Sequence, residues 1–137
     1  MIFVIDSNIL ISALIRDSTT RKIIIESEWT FYYPEIAFHE IRKYKKLVLE
    51  KSGMAEMEYS VVLRRLLKHI TLVSEEQFSH NLKGANEILG KIDVDYVVFL
   101  AVAMSLENSK IWSNDPHLNQ QNKVKALKTE DVVKLFE

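Results

Sequence analysis

The chain has 137 residues, 47% of them hydrophobic, which is enough for one sizeable core and too little for two ordinary domains, so a single domain over 1–137 is expected. With 18 basic and 19 acidic side chains the formal charge is −1, so no global field draws the chain to nucleic acid and such binding needs a local basic patch. The lack of cysteine excludes a disulfide framework and a thiolate zinc site, which suits a cytoplasmic setting, and the sequence shows neither a signal peptide's basic lead nor a membrane-spanning apolar stretch.

The chain opens on an apolar run at 2–5, read as a strand, that stops on Asp6-Ser7-Asn8. Residues 8–27 then carry helical periodicity, and a second β-rich run follows at 30–33. Two helical stretches at 34–51 and 54–69 come next, with Pro34 suited to a first helical turn and Gly53 to the break of an α-hairpin. A strand at 70–73, helices at 75–89 and 94–107, strands at 110–113 and 124–127, and a helix at 129–136 capped by Thr129-Glu130-Asp131 complete the chain. Strands that alternate with longer helices predict a three-layer α/β/α sandwich around a five-stranded parallel sheet. Three glycines, two prolines and no repeat give no sign of a linker.

The acids follow the strands. Open parallel sheets keep their sites at the carboxyl ends of their strands, and Asp6 ends the first while Asp115 follows the fourth with only Asn114 between. If those strands are neighbours, the two carboxylates converge. Asp6 and Ser7 have an equally good reading as caps of the next helix. Glu40 lies on the helix after Pro34 and can face the same edge. Asp93 and Asp95 precede an apolar helix, and two residues apart on a helix they are rotated by ~200°, so one faces inward while the other caps. Asp95 is taken as the inward one. Two carboxylates ~5 Å apart repel by ~3 kcal/mol at an effective dielectric of ~20, so such a cluster needs protons, basic partners or a divalent cation, and oxygen ligands favour Mg²⁺ or Mn²⁺.

Four segments then match one family in order. Val4-Ile-Asp-Ser-Asn-Ile-Leu-Ile-Ser-Ala13, Pro34-Glu-Ile-Ala-Phe-His-Glu-Ile-Arg42, Asp93-Val-Asp-Tyr-Val-Val-Phe-Leu-Ala-Val-Ala103 and Ile111-Trp-Ser-Asn-Asp115 resemble the successive motifs of PIN domains. The look is that of the small stand-alone members, which include toxins of toxin-antitoxin pairs. The resemblance implies a metal-dependent endoribonuclease that cleaves single-stranded RNA by water attack on the phosphodiester, leaving a 5′-phosphate. Carried over by position, Asp6, Glu40, Asp95 and Asp115 are the catalytic acids, and with Asp93 they are the metal ligands. Ser7, Asn8, Ser113 and Asn114 are polar support, the two serines with capping as their other reading. Tyr96 stands where many members have a further acid, which leaves open whether Asp93 or Asp95 is the third ligand.

Partners are read from charge and apolar surface. Arg42, Lys43, Lys45 and Lys46 surround Tyr44 on the helix of Glu40, and are read either as RNA phosphate contacts with a base stacked on the tyrosine or as a plain solvated face. His39 and His117 fall near the acids and are read as hydrogen-bonded or exposed rather than as ligands. The stripe Met54, Met57, Val61, Val62, Leu66 and Leu67 is core or part of a groove for another chain. The toxin-like look implies a homodimer and a small antitoxin protein. The rival to the nuclease is a catalytically inactive module of the same fold that binds RNA or protein.

Overall fold

In the computed structural model, residues 1–15 and 19–137 are described. Five strands, β1 (Ile2–Ile5), β2 (Thr30–Pro34), β3 (Ile70–Val73), β4 (Ser109–Trp112) and β5 (Ala126–Leu127), form one sheet in the order β3-β2-β1-β4-β5, every neighbouring pair parallel. Strand β1 is therefore central and pairs with both β2 and β4. The connections first move outward through β2 to β3, then cross back to β4 on the other side of β1. With right-handed crossovers, this reversal puts the helices that link β1 to β3 and those that link β3 to β4 on opposite faces, while the C-terminal helix after β5 packs on the first group. It also opens a crevice at the carboxyl ends of β1 and β4, where the order reverses.

Helices α1 (Ser7–Ile15), α2 (Thr19–Glu26), α3 (Phe38–Lys43), α4 (Lys45–Ser52) and α5 (Glu56–Leu67) precede β3. Helices α6 (Glu75–Phe78), α7 (Leu82–Leu89) and α8 (Val97–Met104) lie between β3 and β4, α9 (Pro116–Gln120) joins β4 to β5, and α10 (Thr129–Phe136) ends the chain. Helix α8 rests on β1, β2 and β4 and is covered by α6 and α7, whereas α1 packs against α2 to α5. Helix α8, VVFLAVAM, is apolar on all sides and almost wholly buried, as expected of a helix between a sheet and further helices. Phe3, Phe31 and Trp112 meet across three adjacent strands with ring centroids 6.1 to 6.2 Å apart, and Trp112 sends its indole N–H to Thr129 Oγ1 at 3.0 Å.

The predicted strands lie within a residue or two of those observed, and long predicted helices divide at definable points. The stretch 8–27 contains α1 and α2, with 16–18 outside the described residues. Arg21 ties the two together through its hydrogen bonds to the carbonyls of Ala13 and Leu14. The stretch 34–51 becomes a 3-10 turn at Glu35–Ala37 followed by α3 and α4, separated at Tyr44. Pro34 is not in the first helical turn but closes β2 in extended conformation, φ −67° and ψ 125°. Its fixed φ serves strand and helix equally, and the missing N–H costs nothing at a strand end. Gly53 ends α4 with φ +71°, the left-handed cap that glycine adopts without penalty. Thr129 is the first residue of α10 rather than its cap, and its N–H is satisfied from outside the helix by Asn114 Oδ1 at 2.8 Å.

Candidate active site

Register brings the first two acids together. Ile5 pairs with Trp112, so the next residues, Asp6 and Ser113, leave the sheet side by side. Asp6 is fully buried. Its Oδ1 accepts from the N–H of Ile9 in the first turn of α1 at 2.9 Å, and its Oδ2 accepts a short hydrogen bond from Ser113 Oγ. Burial pushes the Asp6 carboxyl up to about 6, against the opposing pull of the Ser113 and Ile9 hydrogen bonds, and the nearby Asp115 charge adds to the rise. The capping reading of Asp6 is thus realised through Oδ1, while Oδ2 is held by Ser113.

Asp115 caps α9 in the same manner, accepting from the His117 N–H at 2.8 Å, while its own N–H donates to Ser113 Oγ at 3.0 Å. Ser113 therefore couples the two acids, giving its proton to Asp6 and taking one from the Asp115 backbone. Asp93 caps the 3-10 turn at Val94–Tyr96 by accepting from the Asp95 N–H at 3.0 Å. Its Oδ2 also lies 3.3 Å from His117 Nδ1, which is 3.6 Å from Asp115 Oδ1. Three of the acids thus sit at helical N-termini, whose unpaired N–H groups and dipoles favour negative charge and offset part of the mutual repulsion.

Asn8, His39, Glu40, Lys43, Tyr44, Asp93, Asp95, Tyr96, Phe99 and Asp115 line one cleft of about 300 Å³ at this edge. Glu40 reaches it from α3, half-buried. Tyr96 enters with its ring 6.2 Å from Phe99, and its hydroxyl takes a long hydrogen bond from Asn8 Nδ2 at 3.4 Å. Burial and the surrounding charges of Asp6, Asp115 and Asp93 hold that phenol well above the usual tyrosine range, so it is a neutral O–H at any physiological pH.

Some expected roles change. Asp93, read as a cap and, like Asp95, as a candidate third ligand, is a cap and is also the aspartate that meets Asp115 and His117. Asp95 lines the cleft but lies outside that trio. Ser7 does not reach a carboxylate, because its Oγ bonds the Tyr33 hydroxyl at 2.6 Å, which passes its own proton to the Ala37 carbonyl at 3.0 Å. Asn114 is committed to Thr129 through both ends of its amide. Lys45 turns away, 3.6 Å from Glu56 and over the Tyr59 ring, while Arg42 and Lys46 are exposed. His117 is hydrogen-bonded, as read from sequence. Its position between two acids was not foreseen, and Asp115-Pro-His117, a cap followed by a proline that starts a helix, is the local signal that aims it there.

Asp93, Asp115 and His117 offer ligand atoms all within 4.8 Å of one another, a spacing one divalent cation can bridge, and the carboxylates are hard oxygen donors of the kind Mg²⁺ and Mn²⁺ take. The donor set therefore fits a divalent metal.

No helix among the described residues is long and apolar enough to cross a membrane. A comparison with curated proteins finds no match. The family model described as PIN domain matches residues 4–134, and members of that family are generally metal-dependent nucleases. With nearly the whole chain matched, an all-parallel five-stranded sheet and an acid cluster at its switch point, the chain belongs to the PIN domain family.

Proposed function

We propose that this chain is a Mg²⁺- or Mn²⁺-dependent endoribonuclease that cuts single-stranded RNA to leave a 5′-phosphate. The observation that supports it most is the convergence of Asp6, Glu40, Asp93, Asp95 and Asp115 on one edge of the sheet, from segments distant in sequence. Asp93 and Asp115 would hold the ion with His117 beside them, and Asp6, Glu40 and Asp95 would surround it. A bound divalent ion supplies Lewis acidity and lowers the pKa of a water.

The protein's part is positioning. Ser113 ties the Asp6 carboxylate to the Asp115 backbone, and the Tyr33 hydroxyl, held by Ser7, anchors the 3-10 turn that leads to Glu40. Glu40, beside the cleft, could take the proton of an attacking water. Tyr96, kept neutral, can only donate its proton to a negative oxygen, which suits a phosphate or a ligand carboxylate. Basic side chains on α3 and α4, Lys43 first among them and with Arg42 and Lys46 exposed nearby, would add phosphate attraction beside the acids. As a toxin of a toxin-antitoxin pair, the chain would work as a homodimer with a small antitoxin covering the cleft, a setting the family resemblance supports.

The test is incubation with single-stranded RNA and with DNA, in Mg²⁺, Mn²⁺ or chelator. Cleavage of RNA in either metal, absent with chelator and in Asp115→Asn, is the expected result. RNA that binds and stays intact in both metals makes the chain a binding module and ends the nuclease reading.

A further inference from the structure

We propose that Lys43 and Tyr44 form a nucleotide clamp at the mouth of the acidic cleft, the ammonium taking a phosphate oxygen and the phenol ring stacking on one unpaired base. The proposal rests on the nuclease reading of the cleft and adds to it how an unpaired strand is selected at the site itself. Lys43 is the one lysine among the described residues that line the cleft, and Tyr44 is the next residue of the same lining. Both are exposed, Tyr44 by 37%, so both can meet a strand that enters the cleft. The Lys43 ammonium stands 5.5 Å from the Tyr44 ring centroid, which holds a positive charge beside the ring on which the base would stack.

The backbone explains the pairing. Helix α3 ends at Lys43 and α4 begins at Lys45, with Tyr44 between them at φ −95° and ψ 4°. In one unbroken helix successive side chains diverge by ~100°. Lys43 and Tyr44, three and four residues after Glu40, nonetheless fall on the face that Glu40 turns to the cleft, while Lys45 goes to Glu56 and Tyr59 on α5. One lysine of the basic run is thus directed to the site and the next serves α5.

A base within a duplex hides both faces in the stack, whereas an unpaired base offers them, and base-aromatic stacking contributes ~1–3 kcal/mol per base. A phosphate bound to Lys43 adds salt-dependent affinity without reading sequence. Phosphate contact and base stacking do not read the 2′-hydroxyl, so the clamp would take an unpaired nucleotide of RNA or DNA, and any choice between them arises elsewhere.

Fluorescence anisotropy of labelled single-stranded RNA, single-stranded DNA and duplex, with the full chain in Ca²⁺, tests this apart from cleavage. Tyr44→Leu should weaken both single strands by roughly 5- to 150-fold and leave the duplex unchanged, Tyr44→Phe should bind as the native chain does, and Lys43→Ala should lower the salt slope by about 0.7. An abasic position in the oligonucleotide should mimic Tyr44→Leu on the native chain, which keeps the test independent of any folding defect. Single-strand affinity within twofold of native for Tyr44→Leu, or the same loss on duplex, overturns the clamp. A parallel Mn²⁺ cleavage assay of the native chain tests the nuclease reading separately, since that reading can fail while the binding pattern persists.

Discussion

Asp6 illustrates how a single carboxylate carries opposed demands. Its folded value of about 6 lies above the ordinary 3.8, so between those values the native metal-free protein holds a proton that the unfolded chain releases. The sign follows from linkage. Relative to an Asp without the shift, native stability is unaffected below about 3.8 and falls by up to ~3 kcal/mol as pH rises through about 6. Asp6→Asn should therefore raise the urea midpoint of the metal-free protein at pH 8, lose that advantage below pH ~4, and abolish cleavage at every pH. An Asp6→Asn protein that unfolds at pH 8 would make Asp6 a structural residue. Ser113→Ala should cost about 1–3 kcal/mol, because it leaves a buried carboxylate oxygen and the Asp115 N–H without their shared hydroxyl. Tyr33 carries a comparable structural duty. Tyr33→Phe strands the Ser7 hydroxyl and the Ala37 carbonyl, and its destabilisation in a denaturation series should be strongly non-additive with that of Ser7→Ala.

At the scale of elements, interruptions of regular structure do the positioning. Gly53 allows α4 to stop and α5 to start within a few residues, where Lys45 bridges them to Glu56 and Tyr59. A Cβ added there meets nothing within 4 Å, so Gly53→Ala tests backbone conformation alone. At φ +71° it should lower stability by ~1 kcal/mol, read as a fall in melting temperature with cleavage rate retained. The 3-10 turns at Glu35–Ala37 and Val94–Tyr96 act similarly, since they lead into the segments that carry Glu40, Asp93 and Asp95 to the cleft. Helical periodicity signals the apolar face of these stretches and says little about where hydrogen bonding changes from one turn to the next.

For the whole molecule the governing feature is the strand order. Because β1 pairs with β4 rather than lying at an edge, acids more than a hundred residues apart in sequence become neighbours. The repulsion so created is offset in part by helix N-termini and by His117, and a divalent cation would offset the rest. Titrating Mn²⁺ or Mg²⁺ should raise the melting temperature by several degrees at a hundredfold excess over Kd, following the ~2.7 kcal/mol of mass action. An Asp6/Asp115 double substitution to Asn should show no such rise. Equal shifts in both proteins would place the cation elsewhere.

The alternation of β-branched runs with helical periods was enough for the α/β class, the strand positions and the expectation that Asp6 and Asp115 leave the sheet at the same edge. These are local properties, written in residue types that prefer extended or helical backbone and in the stops that follow. Which strand lies beside β1, which oxygen of Asp6 caps and which meets Ser113, and why Asp93 rather than Asp95 stands with Asp115 and His117, were decided only by the tertiary structure. Cap and ligand use the same residue types at the same positions, because both exploit the charge at a helix N-terminus. Periodicity cannot separate them, and only the approach of a second segment in space does.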